Sequence, residues 1–295
     1  MSVSKKSLLG SLCFALASLL GAAVQAEVVF DAIPSPEPYN LASLGYQATS
    51  TQEFGDYIQL GGSARALTTI RLGMSNWAVK SNFLDGSDVP LPEFSHVTMD
   101  AAGYQHPITL NIYGVDTSGV TPAIGSLIGT KTATASVPWR PENQGAGQPW
   151  LAPDNNTYNG IFFTVDFDMT ADAITLPDDV IVTVAYNTNT HGYDPIGANG
   201  PCSSLNVALA SDPAQPTIGV NVDVDSMVWN TSHGPFYADG GAGGVGTLRF
   251  DTTWTPYTTA LEINAVPEPA SVALAGVATL GLIVVRRKAS KASKA

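Results

Sequence analysis

Between Glu27 and Ala265 the chain alternates apolar and polar residues in short runs, broken by Gly, Pro, Asn and Asp. Ile108, Leu110 and Ile112 fall on one side of an extended backbone, with Thr109, Asn111 and Tyr113 on the other. Ile70, Leu72 and Met74 alternate in the same way with Arg71, Gly73 and Ser75, leading into Trp77. Leu205, Val207 and Leu209 repeat the pattern, as do Val220, Val222 and Val224. A period of two is that of a strand with one buried face. Two denser runs, 161–169 and 180–186, read as central strands packed on both faces. Helical periodicity is nearly absent. The spacing of the runs and their loop-rich connections predict an all-β body, an antiparallel β-sandwich of jelly-roll type. The longest irregular stretches are 138–159 and 240–246. Neither separates regions of different composition, so one domain is expected over 27–263.

The two ends depart from this pattern. Lys5 and Lys6 precede an apolar core from Leu8 to Leu20, and Val24, Gln25 and Ala26 follow. This arrangement predicts a secretory signal peptide over 1–26, cut between Ala26 and Glu27. An uncleaved anchor is the competing reading, but the core is short for a span. Leu12 before Cys13 argues against a lipoprotein signal. Near the other end, 270–285 is an apolar run of 16 residues, roughly 24 Å long as a helix, against a bilayer core of about 30 Å. One short transmembrane helix is expected there, diluted by small residues and weak as a permanent anchor. Arg286, Arg287 and Lys288 form a basic stop that the positive-inside tendency would keep cytoplasmic, and 289–295 is a basic tail. Ahead of the span, Pro267 and Pro269 fix φ and push Val266 and Glu268 toward extended geometry. The result is a stiff peptide suited to capture by a processing enzyme.

The motif Val266, Pro267, Glu268, Pro269, with its apolar segment and its basic stop, resembles the PEP-CTERM sorting signal of Gram-negative bacteria, here over 264–288. The resemblance implies recognition by an exosortase-type membrane transpeptidase, cleavage near the motif and transfer to the cell surface or exopolysaccharide matrix. A plain single-pass membrane protein is the alternative. No Leu-Pro-x-Thr-Gly wall signal occurs, and the basic terminus differs from the apolar end of a lipid-anchor signal. The body is similar, diffusely, to other exported bacterial β domains with a Gly-rich strand and a turn like that of Pro138, Trp139, Arg140 and Pro141. That likeness implies no activity.

Charge sharpens the picture once the ends are set aside. The body holds six Lys and Arg against 24 Asp and Glu, a net charge of −18, whereas the whole chain is −12. Nucleic acid and anionic membranes need clustered cations and are poor partners for such a surface. Cations or neutral glycans suit it better. Cys202 is the one cysteine of the body, so no internal disulfide or thiolate metal cluster is expected, and a buried, inert thiol is favoured over a reactive one.

Three kinds of site are candidates in the body. Asp166 with Asp168, and Asp223 with Asp225, place carboxylates two apart, as structural calcium ligands can be, although no EF-hand loop is present. A solvated strand face is the plainer reading of both pairs. Trp139, Trp150 and Tyr158, in or beside loops, could stack on the sugar rings of an exopolysaccharide, or simply close the ends of a sandwich. Catalysis has least support: no nucleophile elbow, zincin, Walker or dinucleotide motif occurs, and His96, His106, His191 and His233 are scattered. The expected function is a structural or glycan-contacting surface module without an organic cofactor. A polysaccharide hydrolase or lyase is the competing class.

Overall fold

Among the described residues, sixteen strands carry the fold. They are β1 (Glu27–Asp31), β2 (Ala42–Gly45), β3 (Thr51–Gln59), β4 (Ala66–Asn76), β5 (Gly103–Asp116), β6 (Ala123–Pro138), β7 (Trp150–Leu151) and β8 (Thr157–Tyr158). The second half adds β9 (Ile161–Asp168), β10 (Asp179–Ala185), β11 (Leu205–Ser211), β12 (Val220–Asn221), β13 (Ser226–Thr231), β14 (Arg249–Thr252), β15 (Tyr257–Thr259) and β16 (Leu261–Val266). The computed structural model describes residues 25–145, 147–193, 197, 199–211, 214–231 and 246–268. The expected signal-peptide core, Pro269, the apolar segment with its basic stop, and all of the Gly-rich run except Gly246 lie outside the described residues. Among the described residues, no helix is long and apolar enough to cross a membrane.

The strands form two seven-stranded sheets and one small hairpin, β7–β8. The first sheet runs β1-β16-β4-β11-β15, with β9 on β4 and β2 on β11. The second runs β14-β13-β3-β10-β5-β6, with β12 on β3. All of these strand pairs are antiparallel. The chain passes repeatedly from sheet to sheet: β3 to β4, β4 to β5, β9 to β10, β10 to β11. Such crossovers distinguish a jelly-roll-like sandwich from a simple meander.

The alternation seen in the sequence places the core. Ile70, Leu72 and Met74 of β4 face Phe54, Ile58, Ile108, Leu110 and Ile112 of the other sheet, all fully buried in one apolar cluster. β10 lies between β3 and β5 and is buried on both faces, as its dense run predicts. The run at 161–169 behaves differently. Among the described residues β9 pairs only with β4, and it turns Asp166 and Asp168 to solvent. Its aromatics divide between the faces of this edge strand: Phe163 and Phe167 lie on one, Phe162 on the other. Val220, Val222 and Val224 also depart from expectation: they are 51%, 41% and 43% exposed. Strand β12 lasts only two residues, and Asn221 takes the inward position, donating from Nδ2 to the Tyr257 carbonyl at 3.3 Å. A polar bond across to β15 of the other sheet thus overrides the valine period. β16 stays paired through its last residue, Val266.

Candidate functional site

The sorting motif grows directly out of a paired strand. β16 lies between β1 and β4. Its register sets Ala265 opposite Glu27 on one side and opposite Leu67 on the other, and Val266 opposite Ala66. Leu261, Ile263 and Ala265 are fully buried while Glu262, Asn264 and Val266 are partly exposed, the alternation of a strand on a core. Pro267 and Glu268 follow outside the strand and are partly exposed. Ala26 and Glu27, the expected signal cut, sit at the start of β1 and are exposed. Both expected processing points therefore occur at one end of the sandwich, on adjacent strands, which lie about 5 Å apart in a sheet. Nothing in the one-dimensional motif announces this pairing, because its members are 238 positions apart in sequence.

That end is further defined by loop 61–65, which joins β3 to β4, and by the residues before β10. The Arg65 guanidinium donates from Nη2 to Asp178 Oδ1 at 2.7 Å and from Nη1 to the carbonyls of Gly61 and Ala64. This ties the ends of the two sheets together. The bond is half-solvated, so its net worth is small; its value here is as a geometric marker.

The remaining sequence candidates divide. Trp139 and Trp150 are 8% and 5% exposed and offer no free ring face. Trp139 stacks on Phe83 at 5.7 Å and donates from Nε1 to the Asp100 carbonyl; Trp150 donates to the Gly160 carbonyl, each at 2.7 Å. Their expected role as sugar platforms is corrected: both indoles are structural. Tyr158 is partly exposed, packs on Trp150 and donates to Asp154 at 2.7 Å. Two aromatics absent from the sequence-based set lie on the same patch and are 41% and 44% exposed: Tyr39, which contacts Trp150, and Trp77, which lies against Gly160. Tyr39 meets Trp150 edge-on. A Cβ at Gly160 would collide with Ser75 Oγ and the Trp77 ring, so only glycine lets that indole lie against the chain.

The acidic pairs do not assemble. Asp166 pairs with Arg71 at 3.2 Å, and Asp168 caps the Thr170 amide, which holds its carboxyl below the usual range. Asp223 accepts from the Asp225 amide, and Asp225 accepts from Thr255 Oγ1 at 2.8 Å. Among the described residues no group of three His, Cys, Asp or Glu could hold a metal, so the calcium set is not brought together. His106 is buried and donates from Nε2 to the Asn187 carbonyl at 3.0 Å, and burial lowers its pKa to about 4. His96 is exposed and His233 lies outside the described residues. Cys202 is buried, and burial pushes its thiol up to about 12, well away from the reactive thiolate range.

Two buried carboxylates escaped the sequence reading. Glu53 is 6% exposed, and its Oε1 accepts from Asn111 Nδ2 and Tyr113 OH at 2.9 Å each, and from Thr183 Oγ1. These donors come from β5 and β10, the strands on one side of β3, so the network fastens three strands together. Asp56 is 1% exposed and bridges the sheets, with Oδ2 accepting from Thr258 Oγ1 of β15 at 2.6 Å. Its parity with Phe54 and Ile58 was the one available signal, a lone acid at an apolar strand position.

A protein-family profile described as the PEP-CTERM protein-sorting motif matches residues 265–288. No curated protein and no solved structure matches the chain. The match falls on the segment that leaves the sandwich at Val266, where the last paired strand hands over to Pro267 and Glu268. The chain is thus a PEP-CTERM-containing protein, exported to the surface or beyond and processed by an exosortase.

Proposed function

We propose that this chain enters the periplasm of a Gram-negative bacterium through a cleaved Sec-type signal. The apolar segment 270–285 then holds it transiently in the inner membrane, with the basic stop inside. After exosortase processing, the sandwich works in the cell-surface or exopolysaccharide matrix as a structural, glycan-contacting module rather than as an enzyme. The sorting motif at 265–288 supports the route.

One observation carries the glycan reading: exposed Tyr39 and partly exposed Tyr158 flank Trp150, and exposed Trp77 lies against Gly160, whose carbonyl Trp150 binds. Flat aromatic faces stack on the apolar faces of sugar rings. Asp154, Asn156 and Asn40 supply hydrogen-bonding groups beside them. The body charge of −18 suits a neutral polymer better than an acidic one.

The test is retention of purified Glu27–Val266 on the host's exopolysaccharide. Binding should fall at least tenfold when Trp77 and Tyr158 are both replaced by Ala, and be unmoved by chelator. A new population of reducing or unsaturated sugar ends during incubation would instead establish the competing hydrolase or lyase.

A further inference from the structure

The pairing of β16 constrains how an enzyme can reach the sorting motif. Val266 is the last residue held in the sheet, with β1 on one side of β16 and β4 on the other. Three residues, Pro267, Glu268 and Pro269, separate it from the apolar run that opens at Ala270. Three extended residues span at most about 10 Å. An enzyme working on this peptide at the membrane must therefore work against the end of the sandwich.

That end is not flat. β5 and β10 stay paired as far as Gly114 and Val180, beside the Asp178–Arg65 link that marks the same end. The β5–β6 hairpin continues to the pair Asp116 and Ala123 and then turns through 117–122. At about 3.3 Å per residue it projects roughly 10–15 Å beyond its neighbours, as far as the tether is long. Its tip carries Val120, which makes no packing contact to shield it and is fully exposed at 105%. The register places it at the same end of the sandwich as the tether.

We propose that the strand-end surface beside Val266, with the projecting hairpin tip at Val120, is where the folded sandwich docks on the outer face of its membrane-embedded processing enzyme. The inference rests on the reading that 270–285 is in the membrane before cleavage. It adds that the sandwich is a second recognition element besides the four-residue motif. A lipid surface is the less suited occupant, since the strand ends here carry Glu27, Asp116, Asp178 and Asp179 against one cation among the described residues, Arg65.

The experiment follows processing of the full chain in its host by pulse-chase, reading the mass lost with the sorting segment. The first variant lengthens the tip by inserting Gly-Ser-Gly-Ser after Val120. A second, Val120→Glu, leaves the backbone unchanged and guards against misfolding of the first. Each is made with the native tether and with twelve Gly/Ser residues inserted between Val266 and Pro267. With the native tether the insertion should slow processing at least tenfold and Val120→Glu at least threefold. With the long tether both should return to within twofold of the unsubstituted long-tether chain, because the motif then reaches the enzyme without the sandwich. Native-tether variants processed at the wild-type rate would overturn the docking surface. So would slowing that persists on the long tether, which would indicate lipid contact or misfolding. If the unsubstituted chain keeps its sorting segment, the underlying route fails as well, and the two failures are distinguished by that control.

Discussion

Asp56 shows how a single side chain can set the pH response of the whole sandwich. Burial is the main cause of its raised pKa, about 7 against an ordinary 3.8, and the Asp223 charge adds to it, while bonds from Thr258 and the Tyr57 and Thr259 amides pull the other way. Below pH 4 folded and unfolded chains both hold the proton, and the contribution is fully present. As pH rises from 4 to 7 the unfolded chain releases its proton first, so stability falls, and the loss is complete above the folded value. Its ceiling is about 4 kcal/mol. Asp56→Asn should keep the Thr258 bond and flatten this slope: urea midpoints of wild type and variant should agree near pH 4 and diverge by pH 8, the variant being more stable. Parallel slopes would refute the assignment. Glu53 should behave differently. Glu53→Ala strands three donors and should cost about 3 kcal/mol, read as a lowered melting temperature. Neither acid was picked out from sequence, because an acidic residue in a strand is ordinarily on the solvent side. Only the partner strands reveal that these two are enclosed.

At the scale of elements, β16 decides whether the first sheet exists. It lies between β1 and β4, so a chain ending after Ala260 leaves an unfilled gap, with the buried Leu261, Ile263 and Ala265 missing. A chain ending after Val266 should unfold cooperatively, and one ending after Ala260 should show no cooperative transition by circular dichroism. Equal melting of the two would show that β16 is dispensable. The indole of Trp139 belongs to this scale too: stacked on Phe83 and 8% exposed, it closes one end of the core. Trp139→Ala should cost about 3–5 kcal/mol and leave glycan retention unchanged at temperatures where the variant is folded. By contrast, Val222→Ser should stay within about 0.5 kcal/mol of wild type, since Val222 is already 41% exposed. Strand periodicity found β4, β5, β10 and β11 because each pairs along most of its length. It failed at 220–224, where pairing stops after two residues and the turn takes over.

For the whole molecule, the adjacency of Glu27 and Ala265 means that the two expected processing points close on each other. Export of the C-terminal segment must then precede completion of the sheet. Mass spectrometry of the surface-released protein should find an N-terminus at Glu27 and a C-terminus no earlier than Val266. A product ending inside β16 would contradict the packing.

The sequence alone determined the all-β class, the main core positions, the acidic body and the sorting segment. Each of these depends on residue type at short spacing: a period of two, a charge count, a tetrapeptide before an apolar run. Only the tertiary structure decided which aromatics face solvent, which acids are enclosed, and that Glu27 and Ala265 are neighbours. Those properties depend on strands brought together from distant parts of the chain, and burial is a property of what packs against a residue rather than of the residue itself.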